Sequence, residues 1–223
     1  MTELAKRGSK KWLQVAVNLK RELLLDALRR GGAINQQTSM TWQSPLKEDS
    51  FQEYKDSVAL QKAGISNLKE PLDSFWPPRG PVWDAIGTTS DGDPLFIEAK
   101  AHIPEAATPA TKASPKSLKL IKQSLTRARQ VYAPKATADW SNHFYQYANR
   151  LAYQYFLREM NGVNSTLVFL YFLNDDDMRG PRSEEEWKGA SRLIHAVLGL
   201  PETLTSHHVF DVFLDTRLLQ DAV

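Results

Sequence analysis

Pro81-Val82-Trp83-Asp84-Ala85-Ile86-Gly87-Thr88-Thr89-Ser90-Asp91-Gly92-Asp93-Pro94-Leu95-Phe96-Ile97-Glu98-Ala99-Lys100 is the stretch whose reading decides the fold. Two short apolar runs, 82–88 and 95–102, flank a Gly-containing turn, the pattern of a β-hairpin. Directly opposed residues of an antiparallel pair point to one face of the sheet, so turn length decides which side chains meet. Asp84 opposes Glu98 only if the turn is centred on residue 91. A three-residue loop Ser90-Asp91-Gly92 does this, with Gly92 able to take the left-handed conformation that closes it. A two-residue Asp91-Gly92 turn would set Asp84 opposite Ala99, on the wrong face. Period-two alternation then places Phe96, Glu98, Lys100 and His102 together.

Trp83, Ile86, Leu95, Phe96 and Ile97 populate both faces, so the hairpin is expected to be buried on each side. Buried carboxylates need a partner or a metal. The plainer alternative is a solvent-facing ladder in which Lys100 pairs with Asp84 or Glu98, a contact worth little.

Outward from the hairpin the chain reads as α/β. Residues 10–30 predict one helix, with Trp12, Ala16, Leu19, Leu23 and Ala27 at helical spacing and Gly31-Gly32 as its stop. After a polar connection, Asp49 or Ser50 caps an expected helix to about Ala63, and residues 68–76 suggest a strand broken by Pro71. Beyond the hairpin, 104–117 reads as a loop, 117–132 as a basic helix and 141–160 as an aromatic-rich one. Thr166–Leu173 is a continuous apolar run suited to a strand buried on both faces. Glu184–Leu198 predicts a helix stopped by Gly199, and Val209–Leu214 a last strand.

The 223 residues suit one domain with a sizeable core, and 42% hydrophobic and 24% charged residues are ordinary for a globular protein. A formal net charge of +2 identifies no partner by itself. Basic residues do cluster near the N-terminus and over Lys112–Lys135, stripes that suit either a phosphate backbone or a solvated helix face. The absence of cysteine excludes disulfides, thiolate zinc sites and cysteine nucleophiles. With no signal-like or membrane-length apolar segment, a cytoplasmic protein without membrane contact is expected.

The order helix, strand, Asp-bearing strand, Glu-x-Lys strand, helix, strand resembles the PD-(D/E)XK nuclease superfamily, with its restriction-endonuclease-like fold, over roughly residues 50–215. The matching residues are Asp84, Glu98 and Lys100, with Pro81 three positions before the Asp instead of directly before it. The segments FWPPRGPVWDAIG, FIEAKAH and FYQYANRLA are similar to stretches of bacterial proteins, which points to a bacterial branch. The resemblance implies a central mixed β-sheet flanked by helices. It also implies an N-terminal helical extension over 1–48 joined to a nuclease-like domain over 49–223, in a single compact unit.

It further implies a metal-dependent nuclease acting on DNA, with homodimerisation common among members. Asp84, Glu98 and the backbone carbonyl of Ala99 would hold Mg²⁺ or Mn²⁺, which take oxygen ligands. Lys100 would orient or deprotonate water, or stabilise the transition state; a role as base needs a lowered pKa. A further carboxylate is expected from the first core helix, Glu53 or, in its place, Asp56. Gln146, Asn149, Arg150 and Tyr153 share a helical face similar to the Gln-x-x-x-Tyr helix of RecB-like nucleases, with Arg150 at the Tyr position. Gln146 is expected to support the site, Arg150 to contact phosphate and His102 to reach a leaving group. Asp175-Asp176-Asp177 reads as an acidic surface loop and His207-His208 as a strand-entry loop. The alternative function is a member of the same fold that binds nucleic acid or a protein without cutting.

Overall fold

Five strands form one mixed sheet in the computed structural model, which describes residues 3–222. They are β1 (Met40–Ser44), β2 (Ala85–Thr89), β3 (Pro94–Lys100), β4 (Thr166–Leu173) and β5 (Val209–Asp215), adjacent in that order. β1, β2 and β3 pair antiparallel, whereas β3, β4 and β5 pair parallel. Parallel neighbours require long crossovers, and helices supply them.

The helices are α1 (Gly8–Asn18), α2 (Arg21–Arg30), α3 (Asp56–Lys62), α4 (Leu72–Phe75), α5 (Ile103–Ala106), α6 (Pro115–Tyr132), α7 (Tyr145–Tyr155) and α8 (Glu184–Leu198). α1 and α2 cover one face of the sheet, where Leu95, Ile97, Ala99, Val168, Leu170 and Val212 meet Trp12, Leu13, Leu24 and Leu28. The opposite face, carrying Phe96, Phe169 and Tyr171, packs against α6, α7 and α8 through Leu125, Leu151 and Trp187. Residues 1–48 therefore supply, where described, one covering layer and the edge strand β1. The chain is α/β, a five-stranded mixed sheet flanked by helices. Among the described residues no helix is long and apolar enough to cross a membrane.

Several local expectations give way to tertiary contacts. The single helix over 10–30 is two, broken after Asn18, whose side-chain amide donates to the carbonyls of Gln14 (2.7 Å) and Pro45 (2.8 Å) and whose Oδ1 accepts from Lys47 N (2.9 Å), tying the end of α1 to the segment after β1. Leu19, read as a core position, is 48% exposed. The expected 49–63 helix shrinks to α3, since Ser50 and Phe51 adopt left-handed φ (54° and 57°) and Tyr54 makes a β-bridge to Trp83. Residues 68–76 contain the short helix α4 instead of a strand, driven by burial of Phe75 against Phe156 (ring centroids 5.1 Å). The "polar connection" around 40–44 is β1. Its Met40 and Trp42 cover Gly87, where a Cβ would lie 2.6 Å from Met40 Cε. Within the expected 104–117 loop, α5 and the first turn of α6 form.

Candidate functional site

The hairpin turns about residue 91. Ala85 opposes Ile97, Ile86 opposes Phe96, Gly87 opposes Leu95 and Thr88 opposes Pro94. Ser90-Asp91-Gly92 is the loop, with Gly92 at φ +87°, Gly92 N donating to Thr89 O (2.9 Å) and Thr89 N to Asp93 O (2.9 Å). Continued by one pair, this register sets Asp84 opposite Glu98. β2 begins only at Ala85 because the Asp84 side chain replaces its backbone: Oδ2 accepts from Ala99 N at 2.7 Å. The Ala99 carbonyl lies on the same edge of its strand as that N–H and so faces the gap beyond β2.

Glu98 is 2% exposed and its two oxygens are divided between two cations. Oε1 accepts from Lys100 Nζ and Oε2 from Arg150 Nε at 2.6 Å. Burial opposes the Glu98 charge, but Arg150 and Lys100 outweigh it and hold the carboxyl below its ordinary range. Lys100 also donates to Gln146 Oε1 (3.1 Å). Burial works against its ammonium too, yet Glu98 and Asp84 hold its pKa above the ordinary value. In this arrangement Lys100 is a firm cation, contrary to the lowered pKa that a lysine base needs.

Asp84 behaves differently. Burial first, and the Glu98 charge second, push its carboxyl up to about 8, against the pull of Lys100. Among the described residues its Oδ1 accepts no hydrogen bond. It borders a cleft of about 500 Å³ that is also lined by Glu53, Arg79, Lys112, Gln146 and Arg150. Glu98 and Lys100 sit behind this cleft, around an internal space of about 10 Å³.

The remaining expected residues lie as follows. Glu53 comes from an extended segment, not from a helix. The Tyr54–Trp83 bridge is antiparallel, so Glu53 falls opposite Asp84, and it pairs with Lys10 (3.0 Å). Asp56 is committed elsewhere, accepting from Gly80 N (2.7 Å) and Arg79 N (3.0 Å). Arg150, expected to meet phosphate, is 3% exposed and turned inward. Besides Glu98 it donates to Val82 O (2.7 Å) and Asn149 Oδ1 (2.8 Å), and it lies 4.8 Å from the Trp83 ring centroid. The polar face of α7 is thus a buried lining over the sheet, and Tyr153 on the same face packs among Trp83 and Phe96.

His102 lies beyond the end of β3, where it opens α5 and points Nδ1 at Glu105 (3.4 Å). Asp175 is buried while Asp176 and Asp177 are exposed, and His207 and His208 lead into β5. The sequence reading overlooked Glu105. Its carboxylate accepts from Ala101 N (2.8 Å) and Ser9 Oγ (2.5 Å), fastening α1 to the end of β3. The available signal was Pro104 followed by an acid in a first helical turn.

Whether these groups suit a divalent cation can be judged from their chemistry. The donors around Asp84 are all oxygens, and Mg²⁺ takes one or two carboxylates while keeping several waters. Asp84, with an uncommitted oxygen and too little positive charge beside it, fits that role. Among the described residues, however, no three His, Cys, Asp or Glu side chains converge as a metal cluster. Asp84 and the Ala99 carbonyl suit a lightly chelated ion, whereas both Glu98 oxygens are held by Lys100 and Arg150 and would have to be shared with it. In comparisons with protein-family models, curated proteins and solved structures, nothing matches the chain.

Proposed function

We propose that the chain carries a restriction-endonuclease-like core and is a metal-dependent nuclease that hydrolyses phosphodiester bonds of DNA. The observation that carries this reading is the hairpin register, which sets Asp84, at the edge of a polar cleft, opposite Glu98, with Lys100 in phase with Glu98 just behind the cleft. The succession of an antiparallel hairpin, helices and two parallel strands supports the core. Mg²⁺ or Mn²⁺, when bound by Asp84, Glu98 and the Ala99 carbonyl, would acidify water and neutralise charge developing on phosphate.

In the reaction water adds to phosphorus, one P–O ester bond breaks, and a proton ends on the leaving oxygen. Lys100, kept cationic by Glu98 and Asp84, acts by attracting the phosphate oxygens and orienting water, not by removing a proton. Gln146 fixes the direction of its ammonium. Arg150 holds Glu98 in place instead of meeting phosphate. Arg79 and Lys112, at the cleft wall, are the cations open to the strand.

Cleavage of plasmid and single-stranded DNA with Mg²⁺ or Mn²⁺ tests the proposal. Wild type should cut, Asp84→Ala and Lys100→Ala should lose roughly 10²-fold or more in rate, and chelation should abolish cutting. Equal activity in all three proteins, or none from any of them on either substrate, overturns it. A second reading, nucleic-acid binding without cutting, draws on the saturation of both Glu98 oxygens by Lys100 and Arg150. DNA retention without turnover in any metal would favour it.

A further inference from the structure

A second pocket, of about 270 Å³, opens between α8 and β5. Its floor carries the same sheet row as the site above, since Glu98 pairs with Phe169 and Phe169 with Asp211. Two strand spacings, about 10 Å, therefore separate Asp211 from Glu98. Asp211 accepts from Ser191 Oγ (2.8 Å) through Oδ2, while its Oδ1 has no hydrogen-bond partner among the described residues. His195 lines the pocket but is occupied on both nitrogens, by the Tyr147 hydroxyl (2.8 Å) and the Pro201 carbonyl (2.7 Å). Protein groups thus leave an acceptor at the floor, and burial pushes the Asp211 carboxyl above its ordinary range despite Ser191.

Tyr147 and Phe213 give aromatic walls, and Lys188 and Arg192 stand at the mouth. Lys188 pairs with Glu184 (2.9 Å) and Glu185 (3.9 Å), and Arg192 with Glu202 (3.9 Å), which also lines the mouth; all three glutamates are exposed and bind weakly in water. An acceptor on the floor, aromatic walls and two weakly paired cations at the mouth suit a ligand with a hydrogen-bonding flat end and an anionic end.

We propose that this pocket binds a nucleotide, with the base inward against Asp211 and the phosphate outward at Lys188 and Arg192. The volume, just below the usual range for small-molecule pockets, suits one such unit. A carboxylate accepts from the amino groups of cytosine, adenine and guanine, whereas uracil offers a single imide N–H, so amino-bearing bases are preferred. The nucleotide is either free or one unit of a strand. The proposal does not depend on the nuclease reading, because none of these residues belongs to that centre.

Calorimetric titration of the full chain with 5′-CMP, 5′-AMP, 5′-GMP and 5′-UMP tests it. The first three should bind at millimolar concentration or below and more tightly than 5′-UMP. Asp211→Leu, which removes the acceptor at similar volume, should weaken them about tenfold or more. The exposed pair Lys188→Ala/Arg192→Ala should weaken 5′-CMP while leaving cytidine unchanged, and it decides the matter if Asp211→Leu does not fold. A cytosine oligonucleotide that binds more tightly and is displaced by 5′-CMP identifies a strand as the source; weaker binding identifies the free nucleotide. Failure of all four nucleotides to bind wild type, wild-type affinity in a folded Asp211→Leu protein, or equal losses for 5′-CMP and cytidine in the mouth variant overturns the assignment.

Discussion

Replacing Arg150 by methionine removes a buried guanidinium while keeping most of its apolar volume, so the cavity term stays small. In the native protein Arg150 holds Glu98 Oε2 at 2.6 Å and the Val82 carbonyl at 2.7 Å. Its loss leaves Glu98, only 2% exposed, with Lys100 as its one cationic contact. Breaking one side of a buried ion pair costs about 3–5 kcal/mol, mostly from the charge left behind. Val82 adds little because its residue is exposed and water can reach the carbonyl. For a chain of this size the loss corresponds to roughly 6–20 °C in Tm. Urea unfolding of wild type, Arg150→Met, Glu98→Gln and the double variant provides the measure. The double variant should be less destabilised than the sum of the singles, with a coupling of at least about 1 kcal/mol. A loss below about 1 kcal/mol for Arg150→Met, or additive singles, would refute the view that Arg150 clamps Glu98.

Asp84 gives a pH signature in metal-free protein. Its folded carboxyl is raised from 3.8 to about 8, so the fold keeps a proton that the unfolded chain has already released. This group's contribution to stability therefore falls as pH rises between those values. Wild type should lose more than about 1 kcal/mol relative to Asp84→Asn between pH 5 and pH 8; parallel stability curves for the two proteins would contradict it. Gly87→Ala would place a methyl 2.6 Å from Met40 Cε and 3.1 Å from the Trp42 ring. It should destabilise by about 1–3 kcal/mol, and unchanged urea unfolding would show that β1 is not packed there.

The legibility of this chain divides along physical lines. β4 is readable as Thr166–Leu173 because an unbroken apolar run has only one comfortable place, a strand covered on both faces. α8 ends at Leu198 because Gly199 accepts the left-handed conformation (φ +71°). Gly92 and counting narrow the hairpin to two registers, and the one centred on residue 91, which pairs Asp84 with Glu98, is the one formed. These are properties of neighbouring residues, and no distant contact has to be known to infer them.

β1 is less legible. Its five residues carry only Met40 and Trp42 as apolar signals, and their meaning depends on Gly87 lying beneath them. The break after Asn18 coincides with contacts to Pro45 and Lys47, 27 and 29 residues away, which no local pattern announces. Glu53 reaches the cleft because Tyr54 bridges to Trp83, not because of helical spacing.

The sequence by itself determined that Glu98 and Lys100 share a face and that Asp84 joins them if the loop is Ser90-Asp91-Gly92, the register the fold adopts. Only the tertiary structure decided that Arg150 turns inward to Glu98, 52 residues away, and that Lys100 remains a cation. Phase is set by backbone geometry along the chain, whereas the direction of a long side chain and the charge it holds are set by whichever buried partners the fold delivers.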